Sequence, residues 1–344
     1  MNRDQQFSLF PEDASSPSLR DVARLAKEGG VDALPSAERR ADEARYQMVR
    51  VKAALAEAHG MPFRWTLNPY RGCTHACEYC YARKYQRHLE LGTGDDFSSV
   101  IFVKENLPDA LRRDLARPSW AREHVAVGTA TDPYQPIEGR MKLTRRCLEI
   151  LIGSRTPFSI TTKGPLVVRD IDLLVEASRG AGCQVAMSVP SVDEAAWTRL
   201  EPGTAPPAQR LRAVRQLTDA GIEAGVLMMP LVPGITTSRG SVTRTLEAIQ
   251  HVGARFIGSN VAHLETGVRE HFFAFLSREY PQLVDGYTQL YKTGYAPAGY
   301  VQQVKALVSA ALTKVRGEAR SAPAPELRLA DDWRTDSPAR PRTA

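Results

Sequence analysis

Between residues 58 and 265, short apolar runs alternate with longer stretches in which apolar positions recur at helical spacing. The apolar runs lie at 64–70, 125–129, 158–162, 184–189, 223–229 and 255–261, each bounded by turn residues and short enough for a strand. Between them, segments 107–115, 144–152, 170–178, 208–220 and 241–251 carry an apolar face every three or four residues. Gly182, Gly221 and Gly253 follow three of these segments, where a helix feeding a strand wants a glycine cap. The alternation predicts right-handed βαβ crossovers and a parallel sheet, so the fold class is α/β. A partial (β/α)6 TIM-like barrel and a doubly wound open sheet both satisfy this string. In either one, ligand-binding residues belong at the C-terminal ends of the strands.

The flanks read differently. Residues 1–57 are expected to be a largely flexible N-terminal extension, polar to about residue 45, with an alternating edge strand at 48–52 leading into the core at 58–265. Residues 266–317 read as a C-terminal helical segment, interrupted at Pro281 and at 293–299, that packs beside the sheet's mouth or over its edge. The tail 318–344, rich in Ala, Pro, Arg and Asp, reads as disordered.

A chain of 344 residues holds ample apolar content for one large core. No apolar run is long enough to span a bilayer, and the first residues lack the layout of a signal peptide, so a cytoplasmic monomer without membrane association is expected. Five cysteines, three of them clustered, argue against a disulfide framework. The net charge of +6 suits a polyanionic partner without demanding one. Its basic clusters at 112–113, 140–146 and 210–215 are expected to be solvated helix faces.

The densest chemistry is the C-x3-C-x2-C run of Cys73, Cys77 and Cys80, directly behind the first strand. Three thiolates on one loop favour a soft metal centre: zinc, Cu(I) or an iron–sulfur cluster. A structural zinc site wants four ligands, usually as paired C-x2-C knuckles, and only three lie here. His75 could complete a Cys3His zinc site, although its place inside the x3 gap makes tetrahedral ligation awkward. A cubane held by three cysteines would leave one iron open for chemistry. Cys147 and Cys183 lie far along the chain and read as small buried residues.

The spacing, with Tyr79 before the last cysteine, resembles the radical S-adenosylmethionine (radical SAM) enzymes. The run from Asn68 through Arg83, together with residues 129–138, resembles the spore photoproduct lyase-like branch of that superfamily. The resemblance implies a partial barrel of the radical SAM type and a [4Fe-4S] cluster on Cys73, Cys77 and Cys80 whose open iron binds S-adenosylmethionine. It further implies reductive cleavage of S-adenosylmethionine to a 5′-deoxyadenosyl radical that abstracts hydrogen from substrate, with electrons from a donor such as flavodoxin or ferredoxin. By the same resemblance Tyr79 leans on the adenine, Thr131 and Asp132 take the amino group, Lys163 and Ser188 take the carboxylate, and Glu201 reaches the ribose side or an arginine.

Each implied contact has a plainer structural counterpart. Asp132 suits a turn before Pro133, Ser188 a backbone bond, and Tyr134, Gln135 and Glu138 either face substrate or order their loop. The sequence also departs from the branch. Its lyases carry a cysteine ahead of the Thr-Asp element, whereas Gly128, Thr129 and Ala130 offer no thiol. A DNA-lesion lyase therefore loses its final hydrogen donor unless Tyr134 or a distant cysteine substitutes. The sequence does not identify the substrate: the branch resemblance and the mild basic charge favour a nucleobase in DNA or RNA, with a peptide or small metabolite as the alternative. A non-catalytic iron–sulfur or zinc protein and a nucleic-acid-binding module are the rivals from other classes.

Overall fold

The computed structural model describes residues 44–318 and 328–329. The expectations for 1–43, and for most of the tail beyond 318, lie outside the described residues. The strands are β1 (Arg45–Val49), β2 (Leu55–Glu57), β3 (Trp65–Leu67), β4 (Tyr70–Arg71), β5 (Val100–Lys104), β6 (Val125–Val127), β7 (Phe158–Thr162), β8 (Cys183–Ser188), β9 (Glu223–Leu231), β10 (Phe256–Val261) and β11 (Arg328–Leu329).

The main sheet runs β11-β10-β9-β8-β7-β6-β3-β2. Its six central members are parallel and follow one another in sequence order. A doubly wound sheet reverses its strand order at a switch point, whereas this order never reverses, as in a (β/α) barrel. The fold is therefore the partial (β/α)6 barrel, with β2 antiparallel to β3 at one edge and β11 parallel to β10 at the other.

The helices form where the apolar face predicts. Helix Leu143–Gly153 buries Leu143, Cys147, Leu148 and Leu151, one stripe at helical spacing, against the sheet. Helices Leu107–Leu115, Ile171–Arg179, Pro207–Asp219 and Arg239–His251 repeat the pattern. Val125, Val127, Ile160, Val185, Met187 and Val226 fill the space beneath them. Strands covered on both faces explain why these runs are continuously apolar instead of alternating.

Three local features depart from expectation. The edge strand expected at 48–52 is β1, which lies earlier, at Arg45–Val49, and β2 follows it at Leu55–Glu57. β1 pairs in parallel with β5 in a separate three-stranded sheet and does not enter the core sheet. β5, absent from the expected strands, is the apolar run Val100–Lys104. The run 64–70 is two strands, because Asn68 and Pro69 break it: Asn68 turns its side chain to Thr129 and Ala130, and Pro69 has no N–H for a ladder. β4 thus leaves the main sheet to pair antiparallel with β5. This break aims the following loop across the barrel mouth.

The C-terminal segment packs in two places. Helix Ala298–Glu318 lays Val304, Val308, Ala311, Leu312 and Val315 on the outer core beside helix Arg239–His251 and β10. Helix Val268–Glu279 instead packs Phe272, Phe275 and Leu276 in one cluster with Cys77 and Tyr79. No helix among the described residues is long and apolar enough to cross a membrane.

Candidate functional site

The cysteine loop leaves β4 through Gly72, whose φ of +80° suits glycine and whose hydrogen faces the Val100 carbonyl, only 2.6 Å from where a Cβ would stand. Cys73 N–H then donates to Phe97 O at 3.0 Å. Two tight turns follow, from Ala76 N to Cys73 O and from Cys80 N to Cys77 O, each 3.2 Å. All three cysteines are free thiols, Cys73 and Cys77 buried and Cys80 partly so. Burial pushes the Cys77 and Cys80 thiols up, so their thiolates require a positive partner.

Arg83 holds this loop in shape. Its guanidinium is almost wholly buried and donates to the carbonyls of Cys77 (3.1 Å), Ala76 (3.0 Å), Thr93 (3.2 Å) and Gly94 (2.7 Å), with Phe97 beneath it. Arg83→Ala would remove a donor from each of four carbonyls, of which those of Cys77 and Gly94 keep a backbone N–H and those of Ala76 and Thr93 lose the partner that Arg83 supplies. The expected cost is about 3 kcal/mol or more, from roughly 1–3 kcal/mol per unsatisfied buried group. A thermal melt of the apo-protein, together with iron content after reconstitution, checks this. Unchanged values in both would remove Arg83 from this role.

The chain after β8 cradles the loop from the other side. Glu78 N–H donates to Leu200 O at 3.0 Å and Gly203 N–H to His75 O at 3.1 Å. A Cβ on Gly203 would stand 2.2 Å from Thr74 O, so only glycine permits this backbone approach. Glu78, between Cys77 and Tyr79, pairs with His271 at 2.7 Å and so ties the loop to helix Val268–Glu279.

The remaining expected residues converge on the same mouth, at the ends of β6, β7 and β8. Asp132 accepts from Thr162 Oγ1 (2.6 Å), Lys163 N (2.6 Å) and Tyr134 N (2.9 Å), and lies 3.3 Å from His75 Nδ1. Burial opposes its charge, yet His75 and these donors hold its pKa down to about 2. Both carboxylate oxygens are thus engaged by protein donors, as those of a turn-forming aspartate are. Thr131 Oγ1 likewise donates to Gly72 O at 2.6 Å and accepts from Gln135. His75, the candidate fourth zinc ligand, is buried with Nδ1 toward Asp132. No three His, Cys, Asp or Glu side chains among the described residues converge on a single metal ion.

Glu201 anchors a second network. It accepts from the Tyr79 hydroxyl and from Arg210 at 2.6 Å, and Arg210 also donates to Ser188 O at 2.8 Å. Burial pushes Glu201 up, but Arg210 and Lys163 outweigh it and hold the carboxyl below its usual range. Lys163 Nζ lies 5.6 Å over the Tyr79 ring and 3.8 Å from Glu201 Oε1, too far for a strong hydrogen bond. Burial disfavours the Lys163 charge, yet Cys77 and Glu201 keep it above its usual value. Ser188 Oγ donates to Met229 O at 3.0 Å.

Arg210 corrects one expectation, since it is fully buried and not part of a solvated basic face. Its phase was the available signal: Pro207, Arg210, Leu211, Val214 and Leu217 share the buried stripe. The substitute hydrogen donors lie away from the mouth. Tyr134 is buried with its hydroxyl on Asp170, Cys147 lies inside a helix stripe, and Cys183 begins β8 at the opposite end from the mouth. At the mouth stands Tyr81, 47% exposed, whose hydroxyl donates to Thr129 O. Glu138 orders its loop: it accepts from Tyr70, from Thr144 N and, at 2.8 Å, from Arg169.

A loop of three thiols across the mouth of a partial (β/α)6 barrel defines a class of proteins. Residues 67–246 match the family model of the radical SAM superfamily, and the chain belongs to that superfamily. It is a radical SAM enzyme. An uncharacterized protein of Mycobacterium tuberculosis is 38% identical over 288 residues, which are 82% of this chain and 85% of the relative. A radical SAM Nalpha-GlyT isomerase of Pseudomonas phage M6 is 27% identical over 186 residues, 54% of this chain and 36% of that protein. A spore photoproduct lyase mutant, solved with bound AdoMet and dinucleoside spore photoproduct, superposes with TM-score 0.64 at 13% identity over 89% of this chain and 94% of the lyase. The cofactors of the superfamily are a [4Fe-4S] cluster and S-adenosylmethionine, and its enzymes need an electron donor.

Proposed function

We propose that Cys73, Cys77 and Cys80 hold the [4Fe-4S] cluster and that the protein uses S-adenosylmethionine to abstract hydrogen from a nucleobase. When bound, these cofactors supply reductive cleavage of a C–S bond and a 5′-deoxyadenosyl radical. The donor set fits: three free thiols share one loop, held by Arg83, and nothing else is needed from the chain for a cluster that keeps one iron open.

The observation that carries the S-adenosylmethionine site is Lys163. Its charged Nζ faces the mouth beside Cys77 with its nearest carboxylate oxygen 3.8 Å away, leaving donors for an incoming carboxylate. Ser188 and the Tyr79 ring border the same space. Thr131 and Asp132 contribute by tying the β6 loop to the cysteine loop and to β7, which shapes the wall facing the amino group. Glu201 acts from behind, fixing Tyr79 and, with Arg210, the end of β8. Support for a nucleobase comes from the dinucleoside bound by the similarly folded lyase and from the basic charge of this chain.

The test is anaerobic. Reconstituted protein reduced by dithionite is incubated with S-adenosylmethionine, and 5′-deoxyadenosine is measured by chromatography. Formation of 5′-deoxyadenosine is the expected result. A loaded cluster that yields none with any reductant or oligonucleotide would overturn the reading. Lys163→Ala is expected to weaken S-adenosylmethionine binding about tenfold to a hundredfold with iron content unchanged, as befits loss of a charged hydrogen bond of roughly 1.5–3 kcal/mol. Equilibrium dialysis giving the wild-type affinity would remove Lys163 from the site.

A further inference from the structure

Beside the mouth lies a second cleft of about 480 Å³, on the same face of the barrel. One wall is the 3-10 helix Tyr81–Leu89, which begins at the last cysteine of the loop. The other is the chain after β10, from Glu265 and Thr266, together with Gly294 and Tyr295. A rise of roughly 2.0 Å per residue puts Lys84, where the cleft begins, about 8 Å along that helix from Cys80.

The lining has a definite chemistry. The cleft's one acidic residue, Glu265, is already neutralised: Lys84 pairs with it at 2.6 Å and the Tyr295 hydroxyl donates to it at 2.7 Å. These contacts hold its carboxyl below the usual range. Arg87 and His88 remain exposed on the helix, and Arg87 has no ion pair among the described residues. The rings are equally placed. Tyr295 is 53% exposed and packs against His263 at 4.8 Å, and Tyr85 lies parallel to His88 at 6.4 Å. No Leu, Ile, Val or Met lines the cleft, so it offers no pocket for the apolar anchors of a peptide. The exposed Arg87 and His88 beside the half-exposed Tyr295 ring supply what a single nucleic-acid strand requires, a cation for phosphate and an aromatic face for a base.

We infer that this cleft binds the single strand flanking the reacting base, with Arg87 on phosphate and Tyr295 stacked on a base. The inference rests on the nucleobase reading above and extends it from the reacting centre to a substrate track. Lys84, held over the Tyr85 ring and against Glu265, keeps the track's floor rigid.

The experiment uses anaerobic holoenzyme with S-adenosylmethionine and short fluorescein-labelled oligothymidylate and oligouridylate, read by fluorescence anisotropy across a salt series. Tyr295→Ala is expected to raise the dissociation constant about tenfold, as loss of one base stack does. Arg87→Ala is expected to weaken binding and to reduce the salt slope by about 0.7, one phosphate contact on a single strand. Unchanged melting temperature and iron content in both variants establish that the fold is intact. Arg215→Ala, on the opposite face beside His251, is the control and should leave affinity and slope as they are. Oligonucleotide binding that neither cleft variant alters overturns the cleft and leaves the nucleobase reading standing. No binding of either oligonucleotide by wild type overturns both. Displacement by polyglutamate at the same concentration as by oligonucleotide overturns nucleic-acid selectivity.

Discussion

Cys77→Ala is expected to abolish 5′-deoxyadenosine formation and to bring iron from about four per chain to a small residue. Cys77 is the middle thiol of the loop and the most enclosed. Its turn is closed by Cys80 N–H, its carbonyl is gripped by Arg83, and it shares a packed cluster with Tyr79, Phe272 and Phe275. Alanine fits the same backbone, so the loop should keep its fold while losing one of three ligands. Cys147→Ala and Cys183→Ala serve as controls, since the first thiol belongs to a helix stripe and the second bonds Leu174 O at 3.3 Å. Both should retain iron. Equal iron loss in all the cysteine variants would overturn the assignment.

Arg210→Ala is the largest expected loss of stability. The side chain has no exposed surface, and its guanidinium is held by Glu201, Ser188 O and Thr204. Removing it leaves the Glu201 carboxylate buried with only the Tyr79 hydroxyl and a distant Lys163. Breaking a buried pair in this way costs about 3–5 kcal/mol, far above a surface ion pair. At roughly 2 °C per kcal/mol for a chain of this size, the melting temperature should fall by about 6–10 °C. S-adenosylmethionine affinity should fall as well, because Tyr79 and the end of β8 lose their common anchor. The double variant Arg210→Met with Glu201→Gln removes both charges and should recover much of the stability, a non-additivity that a purely steric role for Arg210 would not produce. Additive losses would deny the pairing.

Nearly the whole barrel was legible in the chain. Parallel strands covered on both faces must be apolar throughout, and amphipathic helices must repeat near every third or fourth residue, so the alternation could be read without coordinates. Helix Leu143–Gly153, expected at 144–152, differs by one residue at each end. The open choice between barrel and doubly wound sheet was different in kind. Both arise from the same local string, and only the pairing of β6 with β3 and of β8 with β7 and β9 decides it.

The cysteine triplet was legible because its members are local: three thiols on one loop show their spacing directly. The residues that support it were less so. Arg83 and Arg210 look like solvent-facing charges in a composition count, and they become structural only where carbonyls or a carboxylate meet them in the interior. Gly203 is an unremarkable turn glycine until Thr74 O closes on it from a loop more than a hundred residues away. Asp132 shows the same limit, since a ligand contact and an internal bond ask for the same side chain.

By itself, then, the sequence determined the strand–helix order, the thiol loop and the membership these define, because each depends on spacing along the chain. Tertiary structure alone decided the strand order of the sheet, the burial of Arg83 and Arg210, the engagement of Asp132, and the meeting of Tyr81–Leu89 with Tyr295 in one cleft. Those depend on which distant groups exclude water from one another, and sequence distance carries no record of that.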